Sequence, residues 1–246
     1  MVINQRPKAN DGETQIRSRE LVFQQDTEVL EFSGPTQLNR VDEISSASTV
    51  VKGGNGTWNL KSGLLQAPGP VLAIGSDGRT LSASGLDGNT LQGYLDLQQP
   101  VTLVLENDRG QINAGQTRWL FTAKQFQSDQ PVQADLKNSK VQGRGFKLDQ
   151  TSGTVIIAND CRVDQTSETL TARRCAGNWR SERVVADGDV VLERTKPEQI
   201  TRASRMEARI SENGEVRFGQ AGARVESTIK LSPAAQEKPR RPQVAF

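Results

Sequence analysis

Residues Gly115 to Val163, GQTRWLFTAKQFQSDQPVQADLKNSKVQGRGFKLDQTSGTVIIANDCRV, decide the fold class, because apolar and polar residues alternate there in short runs divided by turn residues. That is the period of β-strands with one buried face. Trp119, Phe121 and Ala123 fall on one side of such a strand, with Leu120, Thr122 and Lys124 on the other. Val132, Ala134 and Leu136 alternate with Gln133, Asp135 and Lys137, and Phe146 and Leu148 with Lys147 and Asp149. No helical pattern lies between the runs, so the apolar side must face another sheet or the same sheet folded over.

Working outward, the same reading extends along nearly the whole chain. Strands are expected over 19–24, 28–32, 36–41, 48–52, 57–60, 70–74, 80–84, 91–97, 101–106, 111–114 and 117–124. They continue over 131–137, 139–142, 145–149, 153–158, 160–164, 169–175, 183–186, 189–194, 199–210, 214–218 and 223–230. Gly53-Gly54-Asn55-Gly56, Asp77-Gly78, Asp87-Gly88, Asp187-Gly188 and Asn213-Gly214 supply turn residues that tolerate positive φ. The segment RASRMEARI also admits a helix, but it has no cap, and its alternation continues into Val216 and Phe218, which favours a strand. The expected organisation is one all-β domain over residues 18–231, between loose polar ends at 1–17 and 232–246. Segments 170–179 and 200–209 form a loose internal repeat offset by about 30 residues, the mark of a stacked architecture.

Composition excludes several function classes. Among 246 residues, 34% are hydrophobic and 4% aromatic, with 22 glycines, which suits many turns around a thin core. The 31 basic and 29 acidic residues leave a net charge of +2, so no overall basic field gathers nucleic acid or an anionic membrane. The basic run Lys238 to Arg241 reads as a solubilising tail. With no histidine, neither a Ser-His-Asp nor a Cys-His arrangement can be built. No phosphate loop, dinucleotide fingerprint or calcium loop is present. The glycines of Gly143-Arg144-Gly145 suit a tight backbone crossing or a bulge. The expectation is a non-enzyme with no cofactor and no metal.

Cys161 and Cys175 flank a turn at Asp164 to Glu168, and a hairpin centred on Glu168 would set them opposite one another. A disulfide is the favoured reading, ahead of two buried thiols, and two cysteines without histidine make a poor zinc site. No segment approaches the roughly 20 apolar residues needed to span a bilayer, and MVINQRPKANDGE has no hydrophobic run of signal-peptide type. The expected chain is soluble, beginning either at a natural start or just after a membrane anchor.

The Trp119 to Asp129 strand, the turn into Pro131-Val132, GRGFKLD at 143–149, TLTA at 169–172 and DGDVVLE at 187–193 together resemble the lipopolysaccharide-export proteins of the LptC, LptA and OstA-like group. The resemblance is best over residues 80–230, and RELVFQQDTEVLEFSG at 19–34 and GTWNL at 56–60 look like further repeats. It implies an open, V-shaped antiparallel β-jellyroll in the periplasm, with the LptC type favoured over the LptA type. Lipopolysaccharide or a related glycolipid would lie in an apolar groove lined by Leu103, Leu105, Trp119, Phe121, Val132, Leu136, Phe146, Leu148, Ile157, Leu170, Leu192, Met206 and Phe218. A bridging LptA-like protein would add to a C-terminal edge at Val225 and Ile229. The jellyroll of an inner-membrane ABC transporter would meet an N-terminal edge at Glu20 and Phe23. The competing reading is a β-sandwich carbohydrate-binding or adhesion module, for which three Trp and one Tyr provide few exposed platforms.

Overall fold

A computed structural model describes residues 13–41, 48–105, 110–195, 198–209, 216–219 and 225–230. They form strands and turns, with no helix among them. In chain order the strands are β1 (Glu13–Arg17), β2 (Glu20–Gln24), β3 (Val29–Ser33), β4 (Thr36–Val41), β5 (Ser48–Gly53), β6 (Gly56–Asn59), β7 (Leu64–Ala67) and β8 (Val71–Gly75). There follow β9 (Thr80–Ala83), β10 (Gly85–Asn89), β11 (Tyr94–Gln98), β12 (Val101–Val104), β13 (Gly110–Ala114), β14 (Thr117–Leu120), β15 (Gln125–Leu136) and β16 (Ser139–Asp149). The last are β17 (Thr154–Asp164), β18 (Glu168–Ala172), β19 (Arg174–Asn178), β20 (Arg183–Thr195), β21 (Glu198–Arg209), β22 (Val216–Gly219) and β23 (Glu226–Lys230).

Every pairing is antiparallel, and the pairings resolve into two ladders. Ladder A runs β1-β4-β5-β8-β9-β12-β13 and continues through the C-terminal half of β15. Ladder B runs β2-β3-β6-β7-β10-β11-β14 and continues through the N-terminal half of β15. From there the long strands β15, β16, β17, β20 and β21 belong to both ladders, one half in each. The chain therefore crosses from one ladder to the other along a single edge, and its hairpin turns lie along two rims on the far sides.

The crossings explain why several strands read as two pieces. At Gly143 the register of β16 shifts against β17, and Gly145 takes φ of +72°, so a strand read as 139–142 and 145–149 is one bent strand. At Gly188-Asp189 (φ of +78° and +50°) the β20–β21 register shifts in the same way, joining 183–186 to 189–194. Asp160, with φ of +52°, bends β17 where 153–158 and 160–164 were expected to part. Such corners need left-handed backbone, which glycine and aspartate tolerate best. The expected strand 169–175 instead breaks at Arg173, whose N–H donates to Gly188 O at 2.8 Å and so satisfies the corner.

Further expectations change, and one, the strand over 199–210, holds. The polar segment before residue 18 is not loose throughout, because β1 pairs with β4 and Ile16 is 2% exposed. Strand 117–124 stops at Leu120, leaving Phe121 and Ala123 in a turn. The helix alternative for 202–210 gives way to β21. The repeat runs one residue further than its sequence offset, since Leu170 aligns through Leu192 with Thr201, and Cys175 through Ala186 with Met206. A one-residue slip turns every side chain to the opposite face, so only this register keeps the apolar sides together. Residues 1–12 and 231–246, including both expected tails' outer parts, lie outside the described residues, as do 220–224 at the start of the expected last strand.

Candidate functional site

The candidate site is the space between the ladders, and the pairing registers build it row by row. On ladder A one inward row runs Leu38, Val51, Ala73, Leu81, Leu103, Ile112, Ala134, Val141, Val163, Leu170 and Leu192. On ladder B its counterpart runs Leu30, Trp58, Leu65, Gly88, Leu95, Trp119, Phe126, Leu148, Val155, Gly177, Val184, Ala208 and Val216. Trp119 and Phe126 stack in this row with centroids 5.5 Å apart, and Phe121 meets Trp119 edge-on at 6.0 Å.

Next to the crossing edge lie Ala67, Ala83, Ala172, Ala186 and Ala203, together with Val71, Val101, Val132, Val190 and both cysteines, all buried, and in the same rows the larger Leu86, Leu97, Ile157 and Met206. Cys161 on ladder A is joined to Cys175 on ladder B, with Cα atoms 5.9 Å apart. The hairpin that was to align them is centred earlier, between Thr166 and Ser167, and sets Ala172 opposite Cys161. Cys175 comes after the Arg173 corner, opposite Ile157, so the disulfide links the two ladders and not two arms of one hairpin. Burial declines from this edge toward the rims, since many members of the outer rows, Leu103, Ile112, Leu95 and Trp119 among them, are only half-buried.

The thirteen expected lining residues separate into three levels. Val132, Phe146, Ile157, Met206 and Phe218 lie nearest the crossing edge, and Leu103, Trp119, Leu148, Leu170 and Leu192 in the outer rows. Leu105, Phe121 and Leu136 lie at the rims, half-buried. Val132, Leu148, Ile157, Leu170, Leu192 and Met206 are buried against other side chains, so the interior is packed at those points. Two surface cavities, of about 480 and 510 Å³, lie instead on ladder B's outward row, the first along Glu31, Thr57 and Gln66 and the second along Asp96, Arg118, Gln127 and Lys147. Among the described residues no group of acidic or cysteine side chains is arranged to hold a metal ion.

The expected edges fall at the ends of the ladders. Among the described strands, β2, with Glu20 and Phe23, pairs only with β3, and β23, with Ile229, pairs only with β21. Val225 precedes β23 and is 38% exposed. Each end carries a second edge strand, β1 beside β2 and β22 beside β23.

What sequence reasoning missed is the construction of the B rim. Four of its turns, at intervals of about thirty or sixty residues, share one pattern: Asn59-Leu-Lys-Ser-Gly63, Asn89-Thr-Leu-Gln-Gly93, Asp149-Gln-Thr-Ser-Gly153 and Asn178-Trp-Arg-Ser-Glu182. Each first side chain accepts from N–H groups within its own turn. Asn89 Oδ1 takes Leu91 N at 3.0 Å and Gln92 N at 2.9 Å, and Asn178 Oδ1 takes Arg180 N at 3.0 Å and Ser181 N at 2.9 Å. The fifth residue has positive φ in every case, from Gly63 at +78° to Glu182 at +54°. Successive turns are then bonded backbone to backbone: Thr90 N to Gly63 O, Phe121 N to Gly93 O, Gln150 N to Lys124 O, and Trp179 N to Gly153 O. The N/D-x-x-x-G spacing was the signal available in the sequence.

Asp149 fills this role with a charge. Its carboxyl is held below the ordinary range first by the Ser152 N–H, with Gln125 and Thr151 adding, against the opposing effect of burial. A depressed folded-state value means the contribution is complete above the ordinary carboxylate range and is lost as pH falls through the lowered value. Asp149→Asn keeps the acceptor used at residues 59, 89 and 178 and removes the titration. The melting temperature of this variant should fall less steeply with acidification than that of the parent; parallel profiles would assign the acid sensitivity elsewhere.

Compared with known proteins, the chain matches no family model and no curated protein.

Proposed function

We propose that this protein shields the acyl chains of lipopolysaccharide or a related glycolipid between its two ladders and passes them along a stacked β-jellyroll bridge in the periplasm. The observation that carries the reading is the pair of facing apolar rows, running from β4 to β20 on ladder A and from β3 to β22 on ladder B, with burial declining from the crossing edge toward the rims. That decline in burial fits a wedge, closed where the chain crosses and open at the mouth, which is the V-shaped form of the proposal. The turn-to-turn backbone bonds named above join neighbours along one rim, so the mouth can widen without breaking them. A chain inserted there gains roughly 0.8 kcal/mol per methylene with no directional contact to satisfy. The cross-ladder disulfide supports an oxidising compartment. The strand edges that have no partner among the described residues at the two ends support end-to-end addition of a bridging LptA-like protein at β23 and of a transporter jellyroll at β2.

Photo-crosslinking residues placed at the half-buried Leu103, Leu105 and Leu136 should capture lipopolysaccharide, whereas the same group at the exposed Lys137, Lys147 and Arg209 should not. Equal labelling of both sets would show that lipid does not enter between the ladders.

A further inference from the structure

The two inward rows do not end alike. On ladder B the row stays apolar through Val184, Ala208 and Val216. On ladder A it turns polar after Leu192, whose next partners across the strands are Thr201 and then Ser227. One row nearer the rim of ladder A the change is sharper. Leu105 and Leu136 lie in that row, whereas farther along it Glu168, Arg194 and Gln199 stand side by side on β18, β20 and β21. Their inward direction follows from the period of two, since Leu170, Leu192, Thr201 and Ala203 on the same strands are buried.

This polar lip has an internal order. Gln199 Nε2 donates to Ser227 Oγ at 2.9 Å and to Thr201 Oγ1 at 3.2 Å, and the two hydroxyls lie 3.0 Å apart, so the buried Thr201 is satisfied. Arg194 Nε lies 2.8 Å from Glu168 Oε1 without hydrogen-bonding alignment, and this buried N–H has no other acceptor among the described residues. The two side chains nevertheless keep 31% and 35% of their surface exposed, so both can be reached from the mouth. Among the described inward residues of β18, β21, β23 and the C-terminal half of β20 they are the only charges, and they cancel. Glu193 and Glu198 fall on the outward side.

We propose that this lip is a saccharide site, which receives the sugar headgroup of a glycolipid whose chains lie between the ladders; the inference rests on the acyl-chain reading above. Sugar hydroxyls both donate and accept. The lip answers with a guanidinium that donates, a carboxylate that accepts, and an amide and a hydroxyl that do either. Hydrogen bonds to the two charged groups are the stronger ones. A phosphate fits this arrangement poorly, because the Glu168 carboxylate beside Arg194 meets it with like charge. From Glu168 to Ser227 is three strand steps, roughly 14 Å at about 4.8 Å each, wide enough for a disaccharide.

The test uses three amphiphiles that share a dodecyl chain and differ in the head: dodecyl maltoside, dodecyl tetraethylene glycol ether and dodecyl phosphate. Each is titrated calorimetrically against the purified chain below its micelle concentration. The parent should bind the maltoside about tenfold more tightly than the ether. Glu168→Ala with Arg194→Ala should bring the maltoside to the level of the ether and leave the ether unchanged. Gln199→Ala keeps the ion pair and should lower maltoside affinity about threefold, an independent check if the double variant unfolds. The ion pair is partly exposed, so its loss costs little stability, and circular dichroism confirms each fold. Equal binding of maltoside and ether by the parent, or an undiminished preference in the folded variants, overturns the saccharide site and leaves the acyl-chain reading standing. Dodecyl phosphate as the tightest ligand, weakened by Arg194→Ala alone, would make the lip an anion site and overturns the proposal too. Binding of none of the three overturns both readings.

Discussion

Replacing Leu30 by alanine will open the N-terminal end of the molecule while leaving the C-terminal half folded. Leu30 is 0% exposed and sits in a cluster with Ile16, Phe32 and Trp58, supported by Leu21, Leu38, Leu60 and Leu65. Loss of a leucine side chain from so enclosed a place costs about 2–5 kcal/mol, a large part of the roughly 5–15 kcal/mol that holds an ordinary domain. How far the damage spreads depends on how the clusters connect. The next cluster, from Ala67 to Leu148, shares with the first only the partly buried Leu65, and the third is centred on Ile157, Leu170, Ala186, Val190 and Met206. Each part of the ladders is braced chiefly by its neighbours, as in repeat proteins, where stability adds along one dimension. Hydrogen exchange read by mass spectrometry should show β1 to β6 exchanging about a hundredfold faster or more, with β17 to β21 unchanged. Uniform acceleration from end to end would mean that the two ladders unfold as one cooperative unit.

The same local bracing explains how much of the fold could be read in the sequence. The alternation in β15, β16 and β17 is visible because each strand half has one face on the interior and one in water, and Val132-Gln133-Ala134 or Phe146-Lys147-Leu148 records that directly. Corners are different. Gly143-Arg144-Gly145 and Asp187-Gly188-Asp189 carry the residues of a turn, and a turn ordinarily ends a strand. Here they bend it while its pairing continues on the other ladder, a distinction set by partners far away in the chain. β1 was illegible for the opposite reason, since in Glu13-Thr-Gln-Ile-Arg17 only Ile16 is apolar and the strand is held by its register with β4.

At the candidate site, individual inward residues were legible but their depth was not. Leu103 and Val132 look equivalent in an alternating pattern, yet Val132 is buried beside the crossing edge and Leu103 is half-buried one row out. The B rim was overlooked because its signal is a spacing between turns, not a period within a strand. Asn59, Asn89, Asp149 and Asn178 mean little singly and become a structure only when stacked. Phe121 shows the cost of reading alternation past its end, because it was assigned to a strand face and belongs to that rim.

Removing the disulfide, by Cys161→Ala with Cys175→Ala, should lower stability by about 3 kcal/mol, from the loop entropy returned to the unfolded chain across a separation of 14 residues. Alanine is the right replacement, since serine would leave a hydroxyl unsatisfied at sites 1% and 6% exposed and add a second cost. The urea midpoint should fall with little change in slope, because the native surface is unaltered. The position of the link makes a further demand. Cys161 and Cys175 join the ladders beside the Asp160 and Arg173 corners, among the buried Ala172 and Ala186, so the bond reinforces the crossing edge and leaves both rims free. If acyl chains enter between the rims, the alanine pair should still capture lipid at Leu103 and Leu136 under conditions where it remains folded. A folded alanine pair that no longer captures lipid would mean that the link sets the width of the mouth, and a change of less than about 1 kcal/mol would mean that the corners alone hold the crossing edge.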